Sequence, residues 1–269
     1  MNNVYIIGDL HGSFKPIRDF YTLLNSSYDL NTKPDSSDTI ICLGDFGGQF
    51  SFDYRDRNFK KKLGTYKFTY FIIRGNHEER ASIVYKNNPE CWQMETYFGS
   101  SVMVEKEFPY IKYASDMPFK YEICGRSVLT LPGAYSVDKY YRLSTNNKTW
   151  FANEQMSEQE KDLGRILTDA CPKWDLVLSH TCPSIYIPSD LFLSSIDQST
   201  VDNSMERYLG EIENKINYKL WTFGHYHALR VYPKYEEKQM VMLFNEEVID
   251  LNKFFETNDI YQSLIKIHI

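Results

Sequence analysis

The chain has 269 residues, 42% of them hydrophobic, and a formal charge of −6, a size that buries a core without disulfide or metal staples. Its five cysteines, Cys42, Cys91, Cys124, Cys171 and Cys182, are odd in number and widely spaced with no Cys-x-x-Cys pair, which argues against a disulfide framework or a zinc knuckle and for a reducing, cytoplasmic setting. No apolar run approaches membrane-spanning length, no secretory leader precedes the first motif and the basic residues form no stripe, so neither membrane insertion, secretion nor dedicated nucleic-acid binding is expected.

In chain order, Val4-Tyr5-Ile6-Ile7 predicts a buried strand ending at Gly8-Asp9, and Pro16 with Ile17, Phe20, Tyr21 and Leu24 at helical spacing predicts the helix that follows. A polar loop from Asn25 to Asp38 leads into Thr39-Ile40-Ile41-Cys42-Leu43, a second strand ending at Gly44-Asp45. Lys60-Lys61-Lys62 reads as a solvated helix face. A third strand, Phe68 to Ile73, ends at Gly75-Asn76-His77. Between about residues 100 and 133 shorter runs (Val102-Met103-Val104, Tyr110 to Tyr113, Tyr121 to Cys124, Ser127 to Leu131) predict a second, mostly antiparallel or mixed sheet.

Ser157 and Glu160 have capping-box spacing and open a helix carrying Leu163, Ile166 and Leu167, which Pro172 ends. Trp174 to Ser179 is a buried strand running into His180, and Lys219 to Phe223 is another, reaching Gly224-His225. Leu229 to Tyr232 and Met240 to Phe244 predict a closing hairpin. No repeat, low-complexity tract or linker interrupts this pattern, so residues 1–269 read as one domain.

The chemistry sits at the strand ends. Gly8-Asp9-Leu10-His11-Gly12, Gly75-Asn76-His77-Glu78 and Gly224-His225-Tyr226-His227 each put polar ligands just past a strand, and Asp45 and His180 stand at the same kind of junction. An α/β sheet builds its site beyond the carboxyl ends of its strands. The preceding glycines suit a sharp turn or a close backbone approach. Carboxylates, a carboxamide and imidazoles together suit Mn²⁺, Fe, Zn²⁺ or Co²⁺ better than Ca²⁺, which prefers oxygen alone. Two such ions bridged by a carboxylate are a recurrent device for phosphoryl transfer.

In this order, Asp-x-His, Gly-Asp, Gly-Asn-His-Glu, a strand-end His and Gly-His-x-His, the motifs resemble those of the calcineurin-like metallophosphoesterases over residues 8 to 227. The resemblance implies an α/β four-layer sandwich, two mixed β-sheets packed face to face and flanked by helices. It implies two divalent metal ions, Asp9, His11 and His227 holding the first, Asn76, His180 and His225 the second, and Asp45 bridging. By the same resemblance a hydroxide held by the ions attacks phosphorus in line while His77 protonates the leaving oxygen. The first and third motifs are similar to the protein serine/threonine phosphatase branch. That branch carries Asp-Arg-Gly after its second motif, whereas this chain has Asp45-Phe46-Gly47-Gly48-Gln49, so the Asp that orients the catalytic histidine and the Arg that grips phosphate are both missing. Arg55, Arg57, Arg74 and Arg142 are candidates for the second role, because a guanidinium forks onto phosphate oxygens. Arg142 is favoured, since the segment from Pro132 resembles a loop bordering the site in bacterial and phage members.

The expected activity is hydrolysis of phosphate monoesters, on a small molecule or a phosphoprotein. A phosphodiesterase or nuclease and an inactive metal-binding scaffold are the rival readings, and oligomeric state is left open. Several residues have plainer readings: Glu78 as a first-turn helix carboxylate favoured by the macrodipole, Cys182 as a buried thiol rather than a nucleophile, Trp150 beside Asn146-Asn147-Lys148 as a packing residue, and His268 as a surface residue.

Overall fold

The computed structural model describes residues 2–26, 33–144, 149–192 and 197–267; Asn146, Asn147, Lys148 and His268, and part of the Asn25 to Asp38 loop, lie outside the described residues. The chain first lays down β1 (Val4–Ile7), β2 (Thr39–Cys42), β3 (Thr69–Ile72), β4 (Trp92–Tyr97), β5 (Ser100–Glu105) and β6 (Ile111–Tyr113). It then crosses to β7 (Phe119–Ile123), β8 (Arg126–Leu131), β9 (Lys173–Ser179), β10 (Asn217–Phe223), β11 (Arg230–Val231) and β12 (Gln239–Met242), and returns as β13 (Glu247–Asp250) and β14 (Leu264–Lys266). The result is an eight-stranded sheet in the order β14-β13-β1-β2-β3-β6-β5-β4 and a six-stranded sheet in the order β11-β12-β10-β9-β8-β7. The strands that carry the motifs run parallel to their neighbours: β1 with β2, β2 with β3, and β9 with β10.

Side-chain alternation explains the layers. Along β1, Tyr5 and Ile7 join an outer core with Ile17, Phe20, Leu24, Phe59 and Leu63, while Val4 and Ile6 join an inner core with Ile41, Phe71, Leu176, Leu178 and Leu220. A strand buried on both faces reads as an unbroken apolar run, which is why β1, β2 and β3 are visible in the sequence. The outer core lies under α1 (Lys15–Ser26) and α2 (Tyr54–Leu63), with α3 (Ala81–Asn87) contributing Ala81. The short α4 (Lys139–Ser144) is followed by α5 (Glu158–Ala170) and α6 (Ser204–Lys215), and α6 covers the far face of the second sheet through Met205, Tyr208, Leu209 and Ile212. Between β13 and β14 run α7 (Leu251–Thr257) and α8 (Ile260–Ser263). Helices, sheet, sheet and helices make four layers, as the resemblance implies. The closing hairpin is formed, with Arg230 opposite Met242 across β11 and β12.

Four expectations need correction. Val102 to Val104 and Ile111 to Tyr113 belong to the first sheet, and only β7 and β8 of that region enter the second; β6 pairs parallel with β3, a long-range choice that short apolar runs do not encode. The capping box at Ser157 and Glu160 is formed, yet Leu163 and Ile166 are exposed. The face turned inward is Lys161, Gly164 and Thr168, with Gly164 directly beneath the Tyr208 hydroxyl. Lys60 is buried, paired with Glu105 and placed over the Phe108 ring, so only Lys61 and Lys62 form a solvated face. Glu78 is not in a helical first turn, because α3 begins at Ala81; its buried carboxylate instead accepts the Gly75 N–H at 2.8 Å and braces the loop below Asn76.

Candidate metal centre

Each candidate ligand follows a parallel strand at its carboxyl end: Asp9 and His11 after β1, Asp45 after β2, Asn76 and His77 after β3, His180 after β9, His225 and His227 after β10. The local backbone is unusual. Among the described residues nine non-glycine residues have positive φ, and four of them are His11 (48°), Asp45 (46°), His225 (71°) and His227 (54°). Left-handed backbone costs a non-glycine residue on the order of 1–3 kcal/mol and persists where the surroundings over-determine it, typically at functional sites. Two glycines make room for the carboxylates. A Cβ on Gly75 would stand 2.1 Å from Asp45 Oδ1, and one on Gly224 would stand 2.3 Å from Asp9 Oδ1.

These turns bring the polar atoms together. His11 Nε2 and His227 Nε2 are 2.8 Å apart, and His227 Nε2 is 3.4 Å from Asp9 Oδ2, so Asp9, His11 and His227 form one cluster of donor atoms. Deeper in, His180 Nε2 lies 2.8 Å from Asn76 Oδ1 and 3.4 Å from Asp45 Oδ1. Asp45 Oδ2 reaches the other way, 3.9 Å from both His11 Nε2 and His77 Nε2. His225 stacks edge-on against His180 with ring centroids 5.0 Å apart. The carboxylates are themselves aimed by backbone amides: His77 N–H donates to Asp45 Oδ1 and His225 N–H to Asp9 Oδ2, at 2.8 and 2.9 Å.

Burial and charge set the protonation states. Burial would raise the Asp45 pKa, but His180, His77 and His11 outweigh it and hold the carboxyl well below the usual range. Burial acts to lower His180, yet Asp45, Asp9 and the Leu43 carbonyl, 2.7 Å from Nδ1, leave it at about 9. Burial lowers His11 and His77, lowers His227 to about 4 and pushes His225 well down. Burial raises the Asp9 carboxyl well above the usual range. An ionised Asp45 beside neutral His11, His225 and His227 is a donor set that divalent ions take, and binding one at the deep end would displace the proton from His180.

The shallow part of the cluster opens into a cavity of about 580 Å³ lined by His11, Asp45, His77, His227, Phe50 and Arg142. A larger one, about 680 Å³, lies at the opposite strand ends around Asn2, Thr39 and Tyr97 and holds none of the candidate residues. Of the four arginines considered, Arg55 and Arg142 line this cavity, and Arg142 is anchored there by Asp138 Oδ2 at 2.7 Å and Thr149 Oγ1 at 3.0 Å. Arg55 is held in an exposed pair with Asp53, Arg57 turns away to Glu107, and Arg74 is buried against the Gly75 and Glu154 carbonyls. His77 Nδ1 is buried with no hydrogen-bond partner, consistent with the missing Asp after the second motif. Cys182 is fully buried and burial raises its thiol pKa strongly, which suits an inert side chain. Trp150 carries Lys139 over its ring and is not among the residues lining the cavity.

A family profile described as calcineurin-like phosphoesterase matches residues 3–229, the same span that delivers every residue of this cluster. The chain belongs to the calcineurin-like phosphoesterase family. It is thus a phosphoesterase, of a family that works with a dinuclear site of divalent ions. Among solved structures, TT1561 of Thermus thermophilus shares 11% identity over 99% of each chain with a TM-score of 0.52, a likeness of fold. Phosphopantetheinyl hydrolase (PptH) from Mycobacterium tuberculosis shares 14% identity over 98% of this chain and 95% of its own, with a TM-score of 0.45. No curated protein sequence matches the chain.

The residues fit such a pair of ions. Asp9 Oδ1 is fully buried yet has no hydrogen-bond partner, and a buried carboxylate oxygen without a donor is costly unless a cation satisfies it. His11 Nε2 faces His227 Nε2, and His180 Nε2 faces Asn76 Oδ1, each pair 2.8 Å apart, so nitrogen and oxygen donor atoms converge at both ends of the cluster. Sequence reading overlooks three contributors. Asn245 donates to the Asp9 carbonyl, Ser136 accepts from Asn76, and Glu154 accepts from Ser136. Ser136 lies in the Pro132 to Arg142 segment already singled out for its arginine; nothing in the sequence marks the other two.

Proposed function

We propose that this calcineurin-like phosphoesterase hydrolyses phosphate monoesters in the manner of a phosphoprotein phosphatase. The observation that carries the reading is one cavity lined by the shallow part of the metal-donor cluster, a histidine able to pass a proton and a guanidinium able to grip phosphate. Asp9, His11 and His227 would hold one ion and Asn76, His180 and His225 the other, with Asp45 between them. Nitrogen and oxygen donors together suit Mn²⁺, Fe, Zn²⁺ or Co²⁺. When bound, two such ions lower the pKa of water and offset the charge that develops at phosphorus.

The protein's own part follows from its side chains. Arg142, fixed through Nε by Asp138, orients the phosphoryl oxygens in the cavity and holds the ester in line. His77 stands at the cavity wall with its Nε2 near Asp45. Burial depresses its pKa, and the arrival of a dianionic phosphate raises it again, so proton and substrate enter together and Nε2 protonates the leaving oxygen. The inner core runs from Val4 to Ile260, which supports reading the chain as one catalytic domain. We place it in the cytoplasm on its odd, scattered cysteines; no helix of the described residues is long and apolar enough to cross a membrane.

The test is hydrolysis of an aryl phosphate monoester against the matching diester, on metal-stripped protein resupplied with Mn²⁺, with His77→Ala in parallel. Monoester preference supports the reading and directs the next trial to phosphopeptides. Diester preference redirects it to nucleotide substrates, and protein that binds Mn²⁺ without turning over either ester is a binding scaffold.

A further inference from the structure

Outside the family's motifs, one buried hydrogen-bond chain ends at the centre. Glu154 Oε1 accepts the Ser136 N–H at 3.0 Å and Oε2 accepts the Ser136 Oγ–H at 2.5 Å; Ser136 Oγ in turn accepts from Asn76 Nδ2 at 2.9 Å. Asn76 Oδ1 then faces His180 Nε2. All four residues are within 2% of complete burial, so no solvent can substitute for a lost partner. We infer that Ser136 and Glu154 are positioning residues that fix which end of the Asn76 carboxamide faces the metal centre.

The direction of each bond makes the inference. A carboxylate can only accept, and a hydroxyl has one proton to give. With that proton committed to Glu154, Ser136 Oγ presents only lone pairs to Asn76, which must answer with its NH₂ group. The carbonyl Oδ1 is left for the metal centre. A flipped amide would set two acceptors against each other at Ser136 and turn N–H groups toward His180 Nε2 and the ion. Glu154 is kept in place from behind, since Arg74 Nη1 donates to its backbone carbonyl at 2.7 Å. Outer partners of this kind typically govern about 10- to 100-fold in metal affinity.

Glu154→Gln tests the direction rather than the mere presence of the chain. A glutamine would keep its carbonyl on the Ser136 N–H and offer N–H₂ to Oγ, so the hydroxyl would accept there and turn its proton toward Asn76. That favours the flipped amide. The inference rests on Asn76 being a ligand, so Asn76→Ala is measured beside it. The measurements are Mn²⁺ stoichiometry and affinity by titration calorimetry, the visible spectrum of the Co²⁺-loaded protein, and the melting temperature. Ser136→Ala and Glu154→Gln are expected to weaken one Mn²⁺ by about 10- to 100-fold and to shift the Co²⁺ bands, with Ser136→Thr close to wild type. In an Asn76→Asp background, where the side chain has no donor end, Glu154→Gln should strengthen that Mn²⁺ or leave it unchanged. Continued weakening in that background would mean a through-space charge effect and overturns the relay. Wild-type Mn²⁺ binding by Ser136→Ala and Glu154→Gln, with an ion lost in Asn76→Ala, also overturns it and leaves the ligand reading standing. Unchanged binding in Asn76→Ala removes the ligand reading and the relay with it.

Discussion

The two ends of the donor cluster are built differently. At the deep end His180 and Asn76 are closed to solvent and held by fixed partners, the Leu43 carbonyl behind one and Ser136 behind the other. At the shallow end the side chains of His11 and His227 are 35% and 51% exposed, sit on left-handed backbone, and meet each other across the cavity mouth. Asp45 is shared, with one carboxylate oxygen toward each end. A preorganised, desolvated donor set holds a cation against exchange, and an exposed one releases it to chelators and to substrate-driven rearrangement. The contrast therefore predicts one retained and one exchangeable ion rather than two equivalent ones.

The largest effect should come from removing what the ends share. Asp45→Asn takes the negative charge from between the two donor sets. It should lower turnover by at least about 10³-fold, the several kcal/mol that metal ions contribute to the transition state, and reduce Mn²⁺ stoichiometry measured by atomic absorption. A variant that keeps both ions and its rate would break the bridging assignment. Next, His77→Ala tests a group that lines the mouth without being assigned to either ion. Its turnover of an alkyl phosphate should fall by about 10²- to 10⁴-fold, with a much smaller loss on an aryl phosphate whose leaving oxygen needs no proton. Metal content should not change; loss of an ion would make His77 a ligand.

A paired substitution sharpens the comparison itself. His180→Ala removes a buried ring and leaves Leu43 O and Asn76 Oδ1 unpaired, so it should cost about 1–3 kcal/mol of unfolding free energy in urea and lose the retained ion. His227→Ala removes an exposed ring, should leave stability within about 0.5 kcal/mol, and should be rescued by millimolar Mn²⁺ in the assay. Equal losses of stability would mean that the two ends are not built on different principles.

How much of this was legible beforehand follows from the range of each interaction. Asp9, Asp45, Asn76, His77, His225 and His227 stand next to short apolar strands with a glycine nearby, and His180 immediately follows such a strand, a local pattern that sequence displays directly. The sandwich came with the resemblance. What stayed hidden depends on partners far apart in sequence: Ser136 reaches back to Asn76 and forward to Glu154, Lys60 finds Glu105, and β6 crosses the chain to pair with β3. Helix α5 shows the other limit. Its Leu163 and Ile166 carry a convincing apolar period, yet the close seat that Gly164 offers to Tyr208 decides which face turns inward.

The smallest expected effect concerns Arg142. Its guanidinium is anchored by Asp138 and Thr149 and lies 5.5 Å from the Phe50 ring, so its plane is set before substrate arrives. Arg142→Lys keeps the positive charge and removes the planar fork. If the arginine acts mainly by its charge, KM for an aryl monoester should hardly move. If it acts by bidentate orientation, KM should rise about tenfold, equivalent to about 1.4 kcal/mol, since a lysine ammonium cannot reproduce two parallel hydrogen bonds to phosphate. The anchored geometry favours the second outcome. Because Arg142 belongs to the mouth and not to the deep donor set, its loss should leave the retained ion untouched, and a fall in Mn²⁺ stoichiometry would show that the two ends are coupled through the α4 segment.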